Sequence, residues 1–138
     1  MLLDQGADVH NVDNMGRTAL HFAAMYGHEN ITTMLLSKGA KVATSDSEGR
    51  TPLHSTSIYG HTDIAKILLE KGAKVSAKDE EGRIPLHYTA IYGHDKIAKM
   101  LLEKGADPKI EDKEGKTPMA FAAIYGHEKI ALLLLKQK

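Results

Sequence analysis

The eight histidines are the residues best suited to chemistry in this chain. Imidazole ligates metals, shuttles protons and activates hydroxyl nucleophiles. Three histidines form one series, His21, His54 and His87, and four form another, His28, His61, His94 and His127; only His10 stands apart. Neighbours within a series are 33 residues apart. A zinc ion needs ligands at about 2.0–2.1 Å from one point, and columns that advance by one structural unit per member do not converge on a point. No metal site and no cofactor are therefore expected. Ser55, Thr56 and Ser57 follow His54 directly, but successive helix residues point in different directions. They read as small packing residues, not as a nucleophile beside its base, and no enzymatic activity is expected. Arg17, Arg50, Arg83 and Lys116 form a basic column that would suit phosphate, yet Glu48, Glu81 and Glu114 lie two residues before the last three. Ion-paired turn tips account for the column more simply. In the first unit Met15 stands in place of Glu, which leaves Arg17 less compensated.

The aromatic residues point instead to binding. There are 5 Tyr, 2 Phe and no Trp, and all fall at two places in the repeating pattern. One holds Tyr26, Tyr59, Tyr92 and Tyr125; the other, four residues earlier, holds Phe22, Tyr88 and Phe121, with Ser55 as the exception. An i, i+4 spacing puts each pair on one helical face. Met25, Ile58, Ile91 and Ile124 lie beside the tyrosines. Filling space between units is one use for such rings. The tyrosine column suits contact with a partner as well, because Tyr is favoured at binding hot spots.

The elements that carry these columns are set by glycine. Gly16, Gly49, Gly82 and Gly115 recur every 33 residues, as do Gly27, Gly60, Gly93 and Gly126, and Gly6, Gly39, Gly72 and Gly105; together they account for all 12 glycines. The units run 13–45, 46–78, 79–111 and 112–138, after a partial unit at 1–12, and form one domain. Each opens on a tight turn, Asp-x-x-Gly, at Asp13, Asp46, Asp79 and Asp112. In the second unit Thr51 predicts a helix N-cap, Pro52 the first helical position and Gly60 the left-handed stop. His54, three residues after the cap, is placed to reach back to it as a capping-box Glu does. This first helix is predicted from about Thr51 to Ile58. A second, from about Asp63 to Lys71, carries an apolar stripe of Ile64, Ala65, Ile67, Leu68 and Leu69. Small residues at the centre of the first helix (Ala23-Ala24, Thr56-Ser57, Thr89-Ala90, Ala122-Ala123) permit close approach. One unit cannot bury its stripe alone, so neighbours must stack.

The pattern Thr-Pro-Leu-His…Tyr-Gly-His followed by Ile…Leu-Leu…Gly-Ala, recurring in register along the whole chain, resembles the ankyrin-repeat family. Departures are local. Ala19 replaces the proline, Met119-Ala120 replaces Leu-His, and Ile84 replaces the capping Thr, a loss of about 1 kcal/mol that Ile84→Thr is expected to recover. The resemblance implies an all-α solenoid of stacked helix-turn-helix units with short β-hairpin-like turns. It also implies a non-catalytic protein-binding module that meets another protein through hairpin tips and the first-helix surface. On that implication the contact residues are Tyr26, Tyr59, Tyr92, Tyr125, Met25, Ile58, Ile91, Ile124, Phe22, Tyr88, Phe121, Met15, Glu48, Glu81 and Glu114. The competing reading is a spacer segment of a longer array with no partner of its own.

Lys+Arg and Asp+Glu balance at 18 each, so no bulk field draws nucleic acid or anionic lipid. No apolar run approaches a membrane span and no signal-peptide pattern is seen, which points to the cytoplasm. The chain is expected to start inside a second helix. At its far end Leu132 stands where other units have Thr33, Lys66 and Lys99. End-to-end self-association is expected from these apolar ends.

Overall fold

The structure, a computed structural model, describes residues 8–137. The expected helix start at residues 1–7 lies outside them. Among the described residues eight helices follow in pairs: α1 (Ala19–Tyr26) with α2 (Glu29–Ser37), α3 (Pro52–Tyr59) with α4 (Thr62–Glu70), α5 (Pro85–Tyr92) with α6 (Asp95–Glu103), and α7 (Pro118–Tyr125) with α8 (Glu128–Leu135). The odd-numbered helices stack on one another in one layer, the even-numbered ones in a second, and the Asp-x-x-Gly turns form an edge beside the first layer. This is the all-α solenoid expected from the repeats, and the predicted helix limits hold to within a residue.

Local chemistry sets each helix. Thr51 is extended at the N-cap, and its hydroxyl accepts the His54 N–H while His54 Nδ1 accepts the Thr51 N–H at 3.1 Å. Pro52 follows where an N–H would have no partner. Gly60 ends the helix at φ 81° and donates its N–H to the Thr56 carbonyl at 2.7 Å. The glycine is needed twice over, because a Cβ there would sit 2.5 Å from the His94 ring of the next unit.

The core runs the length of the stack between the layers. Leu20, Leu53 and Leu86 are buried in the first layer, and Ile64, Leu68, Ile97 and Leu101 in the second. Thr56, Ser57, Thr89 and Ala90 are buried where the odd helices meet. Their hydroxyls are satisfied within their own helix: Thr56 Oγ1 and Ser57 Oγ donate to the Leu53 carbonyl at 2.9 Å, and Thr89 Oγ1 to Leu86 at 2.7 Å. Small side chains thus bring the helices together without stranding a polar group.

Ile84 corrects one expectation. It has no hydroxyl to offer, yet its N–H still donates to His87 Nδ1 at 3.0 Å, and the His87 N–H turns to the Ile84 carbonyl at 3.0 Å. The side chain itself is buried in the core. Threonine there would exchange apolar burial for a cap, so the expected gain from Ile84→Thr is withdrawn.

Candidate functional site

The turn edge is built from aspartate. Asp46 Oδ1 accepts the N–H of Glu48 and of Arg50, both at 2.9 Å, and Asp13, Asp79 and Asp112 repeat the arrangement. Each tip is tied to the next by one backbone hydrogen bond: Ser47 to Met15, Glu80 to Glu48 and Lys113 to Glu81, at 2.8–2.9 Å. The tips therefore advance in step with the helices behind them. No regular strand forms among the described residues.

The basic column lies just inside these tips, over the aromatic one. Arg17 sits 4.9 Å above the Phe22 ring, Arg50 5.4 Å above Tyr88, and Arg83 5.0 Å above Phe121. Cation–π contact and ion pairing act together here. Arg83 Nε bonds Asp112 Oδ2 of the following unit at 3.1 Å. Arg50 reaches for Asp79 in the same way, but the Tyr88 hydroxyl already donates to Asp79 Oδ2, and Arg50 Nε lies 3.6 Å from that oxygen, within ion-pair range but with no hydrogen-bond partner. Burial and the Asp79 carboxylate push the Tyr88 hydroxyl up to about 12. Arg17 turns back to its own Asp13, 3.0 Å away. Ser55 stands where the other units carry a ring, so Arg17 has no aromatic to cover in the following unit. The expected pairing of tip glutamates is present: Glu48 and Glu81 lie 3.5–3.6 Å from Arg50, Glu81 3.5 Å from Arg83, and Glu114 3.6 Å from Lys116.

The tyrosine column continues this surface away from the tips. Phe22 and Tyr26 stack in parallel at 6.4 Å, as do Phe121 and Tyr125. In the fourth unit contacts run from Glu114 to Lys116 to Phe121 to Tyr125, and in the first from Arg17 to Phe22 to Tyr26. Tyr26, Tyr59, Tyr92 and Tyr125 are 64, 52, 52 and 53 % exposed. Met15, Ile124 and the three tip glutamates are exposed as well, while Met25, Ile58, Ile91 and Phe22 are half-buried at the base of the column. Two expected contact residues drop out. Tyr88 is 2 % exposed and Phe121 3 %, because the arginines of their own and the preceding unit, or Lys116, close over them. They pack the stack and do not reach a partner.

Six of the eight histidines are occupied by the fold, while His10 and His28 are exposed. His21, His54 and His87 are fully buried. Each accepts its cap residue's N–H at Nδ1 and, as the Nε2–H tautomer, donates forward to the next unit, at Arg50, Arg83 and Lys116 carbonyls 2.8–3.1 Å away. Burial holds all three below the ordinary histidine value. The turn histidines reach backward. Nε2 of His61, His94 and His127 meets the Met25, Ile58 and Ile91 carbonyls at 2.9–3.1 Å, at the end of the preceding unit's odd helix. That backward bond was not foreseen. Its sequence signal is the strict Gly-His pairing, since the same ring that bonds the carbonyl fills the space beside the glycine.

No helix among the described residues is long and apolar enough to cross a membrane. No curated protein sequence matches the chain significantly. A family model for ankyrin repeats, described as three copies, matches residues 1–79 and again 75–138. With stacked helix pairs, stepped tips and a 33-residue period running through the whole match, the chain belongs to the ankyrin-repeat family.

Proposed function

We propose that this protein is a non-catalytic binding module that holds a partner protein on the face formed by the tyrosine column and the turn tips. Ankyrin repeats as a class are protein-interaction modules. The observation that carries the reading for this chain is the contrast between two aromatic columns on one set of helices. Tyr88 and Phe121 are buried by the arginines, whereas four tyrosines one turn further on stand in solvent. A ring left exposed at the same place in every unit, beside half-buried Met25, Ile58 and Ile91, is an unspent contact surface. Met15, Glu48, Glu81 and Glu114 form its rim.

The absence of catalysis rests on what the polar groups already do. The buried imidazoles have both nitrogens engaged by backbone, and Ser57 and Thr56 donate to a carbonyl. None is free to activate a nucleophile. The test is capture from cell extract by the wild-type protein, by a Tyr26/Tyr59/Tyr92 triple alanine variant and by a Lys66/Lys99 double alanine variant altered on the helix layer behind. A partner lost only by the tyrosine variant supports the reading. A partner lost only by the lysine variant places binding on the opposite side, and a protein that captures nothing specific behaves as a spacer.

A further inference from the structure

The units are joined unequally. The same three links cross every junction: a backbone hydrogen bond between tips, one bond from the cap histidine forward and one from the turn histidine back. Side-chain links are added at two junctions. Between the second and third units Arg50 lies 5.4 Å above the Tyr88 ring and 3.5–3.6 Å from Glu81 and Asp79, and the His54 ring meets Tyr88 edge-on at 5.9 Å. Between the third and fourth Arg83 lies 5.0 Å above Phe121 and bonds Asp112 at 3.1 Å, and the His87 ring meets Phe121 edge-on at 6.0 Å. Among the described residues no ion pair, cation–π contact or ring–ring contact crosses from the first unit to the second. Ser55 is the cause. It stands where Tyr88 and Phe121 stand, so His21 has no ring to meet and Arg17 none to cover in the next unit. Arg17 falls back on its own Phe22 and Asp13. Asp46 holds the place of Asp79 and Asp112, yet Arg17 does not reach it, and it is half-buried where the other two are buried.

We infer that this junction is a hinge, at which the first unit, α1 with α2, parts from α3 and α4 as one body while the second and third units stay joined. The odd helices pack on their neighbours at all three junctions, so the closed form is complete; what the first junction lacks is the side-chain latch. An exposed ion pair alone adds little. A ring covered by a guanidinium and met by an imidazole edge adds more, and it also holds the guanidinium where it can reach the next aspartate. Loss of the ring therefore removes the contacts as a set. Stacked units open one against the next, and local opening begins where the ties are fewest. Met15 and Tyr26 ride on the moving body, and Tyr59, Tyr92 and Tyr125 on the other. Opening thus breaks the tyrosine column at one place, between Tyr26 and Tyr59. The inference does not depend on the binding face proposed above.

The test is amide hydrogen exchange, followed across a series of low urea concentrations, on the wild-type protein, a Ser55→Phe variant and a Phe121→Ser variant. Circular dichroism checks that each variant folds. In the wild type α1 and α2 are expected to exchange through one shared opening that leaves α3 to α6 protected. Ser55→Phe gives Arg17 a ring to cover and His21 a ring to meet, and draws Arg17 towards Asp46. It is expected to slow exchange in α1 and α2 about tenfold and to leave α5 to α8 unchanged. Phe121→Ser copies the gap at the third junction. It is expected to speed exchange in α7 and α8 about tenfold and to leave α1 and α2 unchanged. Exchange of α1 and α2 only together with α3 in the wild type overturns the inference. So does a folded Ser55→Phe variant whose α1 and α2 exchange at the wild-type rate. Should Ser55→Phe fail to fold, the wild-type pattern and Phe121→Ser decide: unchanged exchange in α7 and α8 without the ring shows that the ring is no latch, and overturns it equally.

Discussion

Each of His21, His54 and His87 joins its own helix start to the backbone of the next unit with one neutral imidazole. Removing such a ring strands a buried N–H and a buried carbonyl, and each unsatisfied group costs about 1–3 kcal/mol. His54→Ala is accordingly expected to lower stability by about 3 kcal/mol, measured by urea denaturation. The same geometry fixes a pH dependence. Burial depresses the folded-state pKa of all three rings, so the unfolded chain binds protons first. Their contribution is complete above the ordinary histidine value of about 6.5 and is lost as pH falls below it towards the depressed folded values. The denaturation midpoint is expected to fall through that window, and less steeply in His54→Gln; a flat profile would contradict the assigned protonation. Tyr88 supplies a further prediction. Phe121 leaves Asp112 free to bond Arg83, whereas the Tyr88 hydroxyl takes Asp79 from Arg50. Tyr88→Phe should release Asp79 to Arg50 Nε, and its effect on stability should stay within about 1 kcal/mol despite the loss of the buried bond to Asp79 and the part-buried one that the hydroxyl accepts from Arg50 Nη2 at 3.3 Å. The reach of each histidine back to its cap was legible because it is local, three residues along one helix. Its forward acceptor was not, because that carbonyl comes alongside only once the units have stacked. Nor did i, i+4 spacing separate Tyr88 from Tyr92. Both rings share a face, and only the arginines of two units, closing over one of them, decide which is buried.

Within the helices, start and stop signals were readable because they act over four residues: Thr51 and Pro52 at one end, Gly60 at the other. Ile84 shows the limit of that reading. Judged as a cap, it is a defect; in the structure it belongs to the core. Burying a side chain of its size is worth about 1.5–3 kcal/mol, against about 1 kcal/mol for a threonine cap. Ile84→Thr is therefore expected to lower the denaturation midpoint, and a raised midpoint would show that capping outweighs packing. The turn between paired helices is held from outside by the next unit's histidine. Gly60→Ala would meet the His94 ring at 2.5 Å as well as a left-handed backbone, while Gly126→Ala has the strained backbone alone and no neighbour within 4 Å. The first substitution is expected to cost at least about 1 kcal/mol more than the second, compared by thermal melting. Nothing in one unit's sequence distinguishes these glycines; the difference lies in whether a described ring packs against them.

Across the whole stack, stability is shared between neighbours. Slowest amide exchange is expected in α4 and α6, at Ile64–Leu69 and Ile97–Leu102, where units pack on both sides. As an isolated polypeptide the 138-residue chain also presents Ile124, Leu132 and Leu135 in solvent, 58, 58 and 70 % exposed. Concentration-dependent light scattering that Leu132→Lys reduces is the expected outcome, and a strictly monomeric parent would contradict it. The period of 33 made the solenoid legible throughout, because every column is set by the repeat. The surface that solvent sees depends on which side chains lie over which, and repetition does not encode that. The account stands most directly on where a bound partner lies. Hydrogen exchange on the captured complex, compared with the free protein, locates it. Added protection at the turn tips 46–50 and 79–83 and at the ends of α3 and α5 near Tyr59 and Tyr92, with α4 and α6 unchanged, is the predicted footprint. Protection confined to α4 and α6 would place the partner on the opposite layer and contradict the account.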